Sequence, residues 1–245
     1  MLLLGIDVET TGLDTEKDRI TEIGAVLWDS EAKKPLAMLS ELCVFEDMPE
    51  LSELIINLTG ITQDMLDNYA VFPKELFIEL FSLMRVADAC VAHNAPFDKG
   101  MLESNAKSID LELPDIPWID TTVDVPYPDN IKTRKLTHLA AEHGFVNPFA
   151  HRAVFDVLTM LVVLSNYDAA EVLELSKSPS VILVANTKKP WLDQAPEGKK
   201  QSDLAKCLGF RWNGAKKTWE KQVKQAQAET VLTACKNLFP VRIVE

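Results

Sequence analysis

The sequence predicts an α/β chain followed by a smaller α+β unit, and three observations predict it. The chain opens on an apolar run, Leu2 to Ile6, and two further strand-like stretches follow, Arg19 to Trp28 and one within Leu36 to Phe45. From Leu51 the apolar spacing turns helical and then alternates with short strands. Beyond residue 180 an independent alternation runs β-α-β-β-α-β, the order of a small ferredoxin-like unit.

Each element has a local reason. Thr10 to Leu13 turn the chain out of the first strand, and the next two strands make a meander of short antiparallel neighbours. LTGITQDML is a Gly-punctuated break leading into a short helix capped by Thr62, and Pro73 opens the stronger helix PKELFIELFSLMRVA. A strand, Ala89 to Ala92, leads into HNAPFDKGML, where Pro96 starts another helix. WIDTTV (118–123) reads as a short strand and VPYPDN as a Pro-rich turn. LTHLAAEHG is a helix with Leu136, Leu139 and Ala140 inward and Gly144 as its stop, and AHRAVFDVLTMLVVLSNY carries the last helix of the large domain.

At 245 residues the chain has room for one large domain and one small one, placed at 1–176 and 181–245 with the linker KSPS at 177–180. No apolar run approaches the roughly 18 residues of a membrane span, and the first residues lack the basic leader of a signal peptide. Cys43, Cys90, Cys207 and Cys235 are scattered without a CxxC pair, which points away from zinc or disulfide frameworks and towards a reducing cytoplasm. The net charge of −12 is uneven: from Pro179 onward 12 Lys and Arg stand against 6 Asp and Glu, whereas the earlier residues hold 13 against 31. A basic tail on an acidic body suits attraction to a polyanion.

The chemistry concentrates in acids near strand ends and helix starts. Asp7 and Glu9 alternate along the first strand, so both point to one side. Like charges at a buried position repel, and a divalent cation would resolve the repulsion. Asp98 falls in the first turn of the helix after HNAP, just past a strand end, where α/β sites are built. Asp156 lies near the start of the last helix with His151 five residues before it. Five helical residues turn about 500°, so the two meet only if His151 sits in the loop ahead of that helix. Four carboxylates suit Mg²⁺ or Mn²⁺ rather than Zn²⁺. Two-metal nucleases need such a set, with a base for the attacking water.

DVETTGL, HNAPFD and HRAVFD, in this order, resemble the three motifs of the DEDD (DnaQ-like) 3′-to-5′ exonucleases. The His-x4-Asp form of the third motif resembles the histidine subclass, and the resemblance extends over residues 1 to about 170. It implies a ribonuclease H-like fold with a mixed five-stranded sheet flanked by helices. It further implies two Mg²⁺, replaceable by Mn²⁺, with Asp7 bridging both, Glu9 and Asp156 completing one ion's ligands and Asp98 serving the other. His151 would be the general base, Thr10, Leu13 and Asn94 would meet the 3′-terminal nucleotide, and a 5′-nucleoside monophosphate would leave. The implied substrate is nucleic acid, DNA ahead of RNA and single-stranded ends ahead of duplex. An RNA exonuclease of the RNase T or oligoribonuclease type, a polymerase proofreading subunit and a non-catalytic binding module remain alternatives.

Basic side chains outside the motifs are candidate phosphate contacts: Lys132, Arg134 and Lys135 in the body, and Arg211, Lys216 and Lys217 in the tail. DLAKCLGFRWNGAKKTWEK also resembles a short Trp-containing module appended to nucleic-acid enzymes. Trp212 and Trp219 flank an expected Asn-Gly turn at 213–214, either as a stacking platform or as the core of a small domain. A protein partner for this domain stays open, and no membrane contact is expected.

Overall fold

The computed structural model describes residues 1–131, 133–187 and 200–244. They form two compact units, one of Met1–Thr122 with Lys135–Leu173 and one of Val123–Arg134 with Glu174–Glu245. The division departs from the expected boundary in two respects: it falls between Leu173 and Glu174, ahead of the expected linker, and an earlier stretch crosses it. Residues 123–134 group with the C-terminal stretch, because Asp124 pairs with Lys224 and Asp129 with Lys221, each at 2.6 Å.

In the first unit, β1 (Leu2–Thr10), β2 (Ile20–Asp29) and β3 (Lys34–Leu42) form the antiparallel meander. Helices α1 (Glu53–Thr59), α2 (Gln63–Tyr69) and α3 (Pro73–Val86) follow. They carry the chain to β4 (Ala89–Ala92), which pairs parallel to β1; α4 (Ala95–Ser108) then leads to β5 (Trp118–Asp120), parallel to β4. The sheet is therefore mixed and five-stranded, in the order β3-β2-β1-β4-β5. Helices α5 (Leu136–Glu142), α6 (Ala153–Leu164) and α7 (Ala169–Ser176) complete the order before the C-terminal strands.

Both faces of β1 and β2 are covered, which explains their near-continuous apolar sequence. Leu4, Ile6 and Val8 enter the core with Leu76, Phe77, Leu80, Met101 and Leu102 of α3 and α4. The alternate residues, Leu3, Gly5, Asp7 and Glu9, point to the opposite face, where α6 packs on β1 and β2. Two glycines admit α6 that closely. A Cβ on Gly5 would press into Val157 and Leu161, and one on Gly24 would collide with the backbone of Ala153 and Val154.

Several local expectations shift. The third strand begins at Lys34 because the turn closes tightly, with Lys33 at φ 54°. The strand at 118 stops at Asp120, whose carboxylate accepts the N–H groups of Asn94 and Thr122 and so ends the extended run. Thr62 caps α2 through its hydroxyl, and Pro73 opens α3, as their positions predict.

In the second unit, β6 (Ser180–Ala185), α8 (Gln201–Cys207), β7 (Arg211–Asn213), β8 (Thr218–Lys224), α9 (Gln225–Cys235) and β9 (Val241–Val244) follow in the expected alternation. Their sheet is antiparallel in the order β7-β8-β6-β9, the ferredoxin-like arrangement. The hairpin differs from a two-residue Asn-Gly turn. Asn213 pairs with Thr218, the Asn213 side chain accepts from the N–H groups of Ala215 and Lys216, and Lys217 takes the positive φ of 54°. Trp219 packs into this unit's core, whereas Trp212 on the edge strand is 54% exposed.

Candidate active site

Asp7 and Glu9 project side by side from β1 on the face that receives α6. Asp98, 3% exposed in the first turn of α4, reaches the same strand from the other side, where the Val8 N–H donates to its Oδ1 at 3.2 Å. Asp156 lies in the first turn of α6, where the helix dipole favours a carboxylate. Both its oxygens are held: the Asn147 amide donates at 2.7 Å and the His151 N–H at 2.8 Å. His151 sits in the turn ahead of α6 with φ 65°, exposed, which is the placement its spacing from Asp156 requires. Ligand atoms of Glu9, His151 and Asp156 all lie within 4.8 Å of one another.

The acids disturb one another. Burial, then repulsion from Asp98, Glu9, Asp156 and Glu22, pushes the Asp7 carboxyl well above its ordinary range. Burial, then Glu22 and Asp156, raises Glu9 to about 7, with Arg152 opposing. Burial raises Asp98 to about 8 against its backbone hydrogen bonds, and Asp156 is also raised, mainly by burial. This many hard oxygen donors, all pushed above the usual carboxyl range by burial and mutual repulsion, make a set that a divalent cation fits.

A family model described as exonuclease matches residues 4–164. The chain belongs to this exonuclease family. Sequence relatives include the PolC-type DNA polymerase III of Listeria welshimeri, 34% identical over 153 residues, and that of Clostridium perfringens, 34% identical over 167. These matches take in 61% and 64% of this chain but 10% of each relative, so the chain spans about a tenth of the length of the curated relatives it matches. Among solved structures, the nuclease domain of 3′hExo, a DEDDh family member bound to rAMP, aligns with a TM-score of 0.55 at 20% identity over 67% of this chain and 90% of that one. The zinc-bound E. coli ExoI–ssDNA complex aligns with a TM-score of 0.65 at 15% identity over 96% and 67%. The exonuclease fold and the His-x4-Asp form of the third motif agree with the histidine branch of the DEDD group.

Around these acids, Thr10 is buried with its hydroxyl donating to the Gly12 carbonyl at 2.6 Å, and Leu13 stands 85% exposed. Asn94 opens α4 in a left-handed conformation with its N–H on Asp120 at 3.1 Å. The basic candidates are more dispersed. Lys132 lies outside the described residues. Lys135 is exposed at the start of α5, and the Arg134 guanidinium stacks 4.6 Å from the Tyr127 ring centroid. Arg211 donates to the Ile131 carbonyl at 3.3 Å, Lys216 lies 3.6 Å from Glu220, and Lys217 is exposed. Sequence reasoning missed Glu22, Arg152 and Asn147. Glu22 was the one with a signal, a lone carboxylate inside an apolar strand.

Proposed function

We propose that the chain is a divalent-metal-dependent 3′-to-5′ exonuclease that releases 5′-nucleoside monophosphates from single-stranded DNA ends. The observation that carries this is the grouping of Glu9, His151 and Asp156 beside the strained acids Asp7 and Asp98. Asp7, Glu9, Asp98 and Asp156 would hold the cations, proposed as two Mg²⁺ with Mn²⁺ able to replace them. Bound there, the cations would supply positive charge to the phosphate oxygens as the transition state forms.

The chain's own residues supply the rest. His151 takes the proton of the attacking water on a ring nitrogen. Water adds to the terminal phosphorus, the bond to the 3′-oxygen of the shortened strand breaks, and that oxygen recovers a proton. Exposed Leu13 is suited to wedge against the terminal base, with Thr10 and Asn94 lining the same end of the sheet. Arg134, Lys135, Arg211, Lys216 and Lys217 are proposed as further phosphate contacts, all but Arg134 being exposed.

DNA is favoured over RNA because the sequence relatives are DNA polymerases and a solved neighbour is E. coli Exonuclease I with a dT13 oligonucleotide. An RNA substrate is the second reading, favoured by the 3′-exonuclease neighbour that recognises a histone mRNA stem-loop. Proofreading within a polymerase assembly is a third, drawn from the PolC-type relatives. A protein partner would dock on the second unit, and the four free cysteines suit the cytoplasm. The test is a Mg²⁺ assay on matched DNA and RNA oligonucleotides labelled at the 5′ end, alongside Asp7→Ala and His151→Ala. A ladder shortening from the 3′ end, reduced about 10²–10⁴-fold without the base, supports the proposal, and no shortening of either strand refutes it.

A further inference from the structure

Glu22 is 1% exposed in the middle of an apolar strand, and β1 and β2 pair it in register with Glu9. A carboxylate so deeply buried must be compensated by donors. Arg152 supplies most of them. Its Nε lies 3.1 and 3.2 Å from the two Glu22 oxygens and its Nη2 lies 2.8 Å from Oε1, a forked pairing. The third donor is the Ala153 N–H at 3.1 Å. Arg152, the residue that caps α6, makes no side-chain cap of its own, so a carboxylate from β2 satisfies the first amide of the helix instead.

The consequence falls on the neighbouring residue. His151 immediately precedes Arg152 and is held at φ 65°, a conformation that side chains other than glycine adopt at a cost. Such a turn persists only when its surroundings over-determine it. Here the anchors are Arg152 on Glu22, Ala153 on Glu22 and the His151 N–H on Asp156. Gly24, two residues along β2 and on the same face as Glu22, provides the flat seat on which the turn's exit rests. With Arg152 drawn towards the sheet, the residue before it is turned to the side where Glu9 and Asp156 lie, which is where their ligand atoms meet its imidazole.

We propose that the Arg152–Glu22 pair is a positioning device that fixes the imidazole of His151 against Glu9 and Asp156. The proposal rests on the exonuclease reading for its catalytic consequence but not for its structural one. Neither residue touches the reacting atoms. Both act through the turn, and a misplacement of about 1 Å at a catalytic group costs on the order of 10²-fold in rate.

The test uses the full chain with two variants. Arg152→Lys keeps one charge and loses the fork, and the double variant Glu22→Gln/Arg152→Gln keeps a neutral hydrogen-bonded pair where an unpaired Glu22 would endanger folding. Kinetics on a 5′-labelled oligonucleotide are read beside the imidazole proton resonances of metal-free protein. The chain has four histidines, His93, His138, His143 and His151, so the signal lost in His151→Gln assigns the one of interest. The expected result in both variants is a fall in kcat of about 10²-fold with KM nearly unchanged, together with a shifted or broadened His151 resonance and unmoved signals from the other three. An unmoved His151 resonance, or a loss expressed wholly in KM, overturns the proposal. If the native chain shows no nuclease activity yet the variants still move the His151 signal, the functional reading falls and the positioning role stands.

Discussion

Glu9→Gln should stabilise the metal-free protein, with an effect that depends on pH in a direction the structure dictates. Glu9 is lifted from 4.5 to about 7 by burial, Glu22 and Asp156. The folded chain therefore binds this proton more tightly than the unfolded chain does. The corresponding stability is fully present below pH 4.5 and is lost as pH rises to about 7. A shift of about 2.5 units, at about 1.4 kcal/mol per unit, amounts to about 3 kcal/mol. Glutamine keeps the shape and cannot ionise, so it escapes the loss. Urea unfolding in a chelator, repeated from pH 4.5 to pH 8, should show the two proteins converging in acid and the variant ahead by up to about 3 kcal/mol at pH 8. Added Mg²⁺ should reverse the order, since a ligand that binds only the folded state adds RT ln(1 + [L]/Kd) and the native carboxylate binds better. Equal pH slopes for the two proteins in chelator would refute the reasoning, because Glu9 would then carry no strain in the folded state.

Gly24→Ala places a methyl group where the backbone of Ala153 and Val154 lies, so α6 must retreat from the sheet. A loss of about 1–3 kcal/mol in thermal denaturation is expected, with a fall in nuclease rate larger than the lost folded fraction explains. Asp124→Ala leaves Lys224, itself 6% exposed, without its carboxylate at 2.6 Å. Calorimetry should show a destabilisation of about 3–5 kcal/mol. Trp219→Ala, which empties part of the second unit's core, should cost several times more stability than Trp212→Ala at the exposed edge.

What could be read from the chain was what lies close together in it. Asp7 and Glu9 sit two apart on one strand, so period alone puts them on one side, and the five-residue gap between His151 and Asp156 is short enough to show that the pair meets only with His151 in the loop ahead of the helix. Glu22 and Arg152 are separated by 130 positions, and nothing in either neighbourhood announces the other. Their meeting depends on α6 crossing β2, and that crossing depends on Gly24, whose meaning appears only when the helix is seen above it. Asp120 was hidden for a related reason. It reads as an ordinary strand residue until its carboxylate is found accepting the Asn94 N–H at the end of the adjacent strand. In the tail, the alternation of elements was legible because each is short and self-consistent. The hairpin geometry was not, since the Asn213 side chain competes with the backbone for the turn's N–H groups.

Residues 123–134 have a consequence for synthesis. Asp129 and its partner Lys221 are 92 positions apart, so the stretch emerges from the ribosome long before the strand that anchors it. At roughly 5–20 residues per second the interval is about 5–20 s. During it the stretch has neither Lys221 for Asp129 nor Lys224 for Asp124, the ion pairs that hold it in the finished protein. A nascent chain stalled before Lys221 would leave Asp124 and Asp129 without their lysines, and the stretch untethered until synthesis resumed.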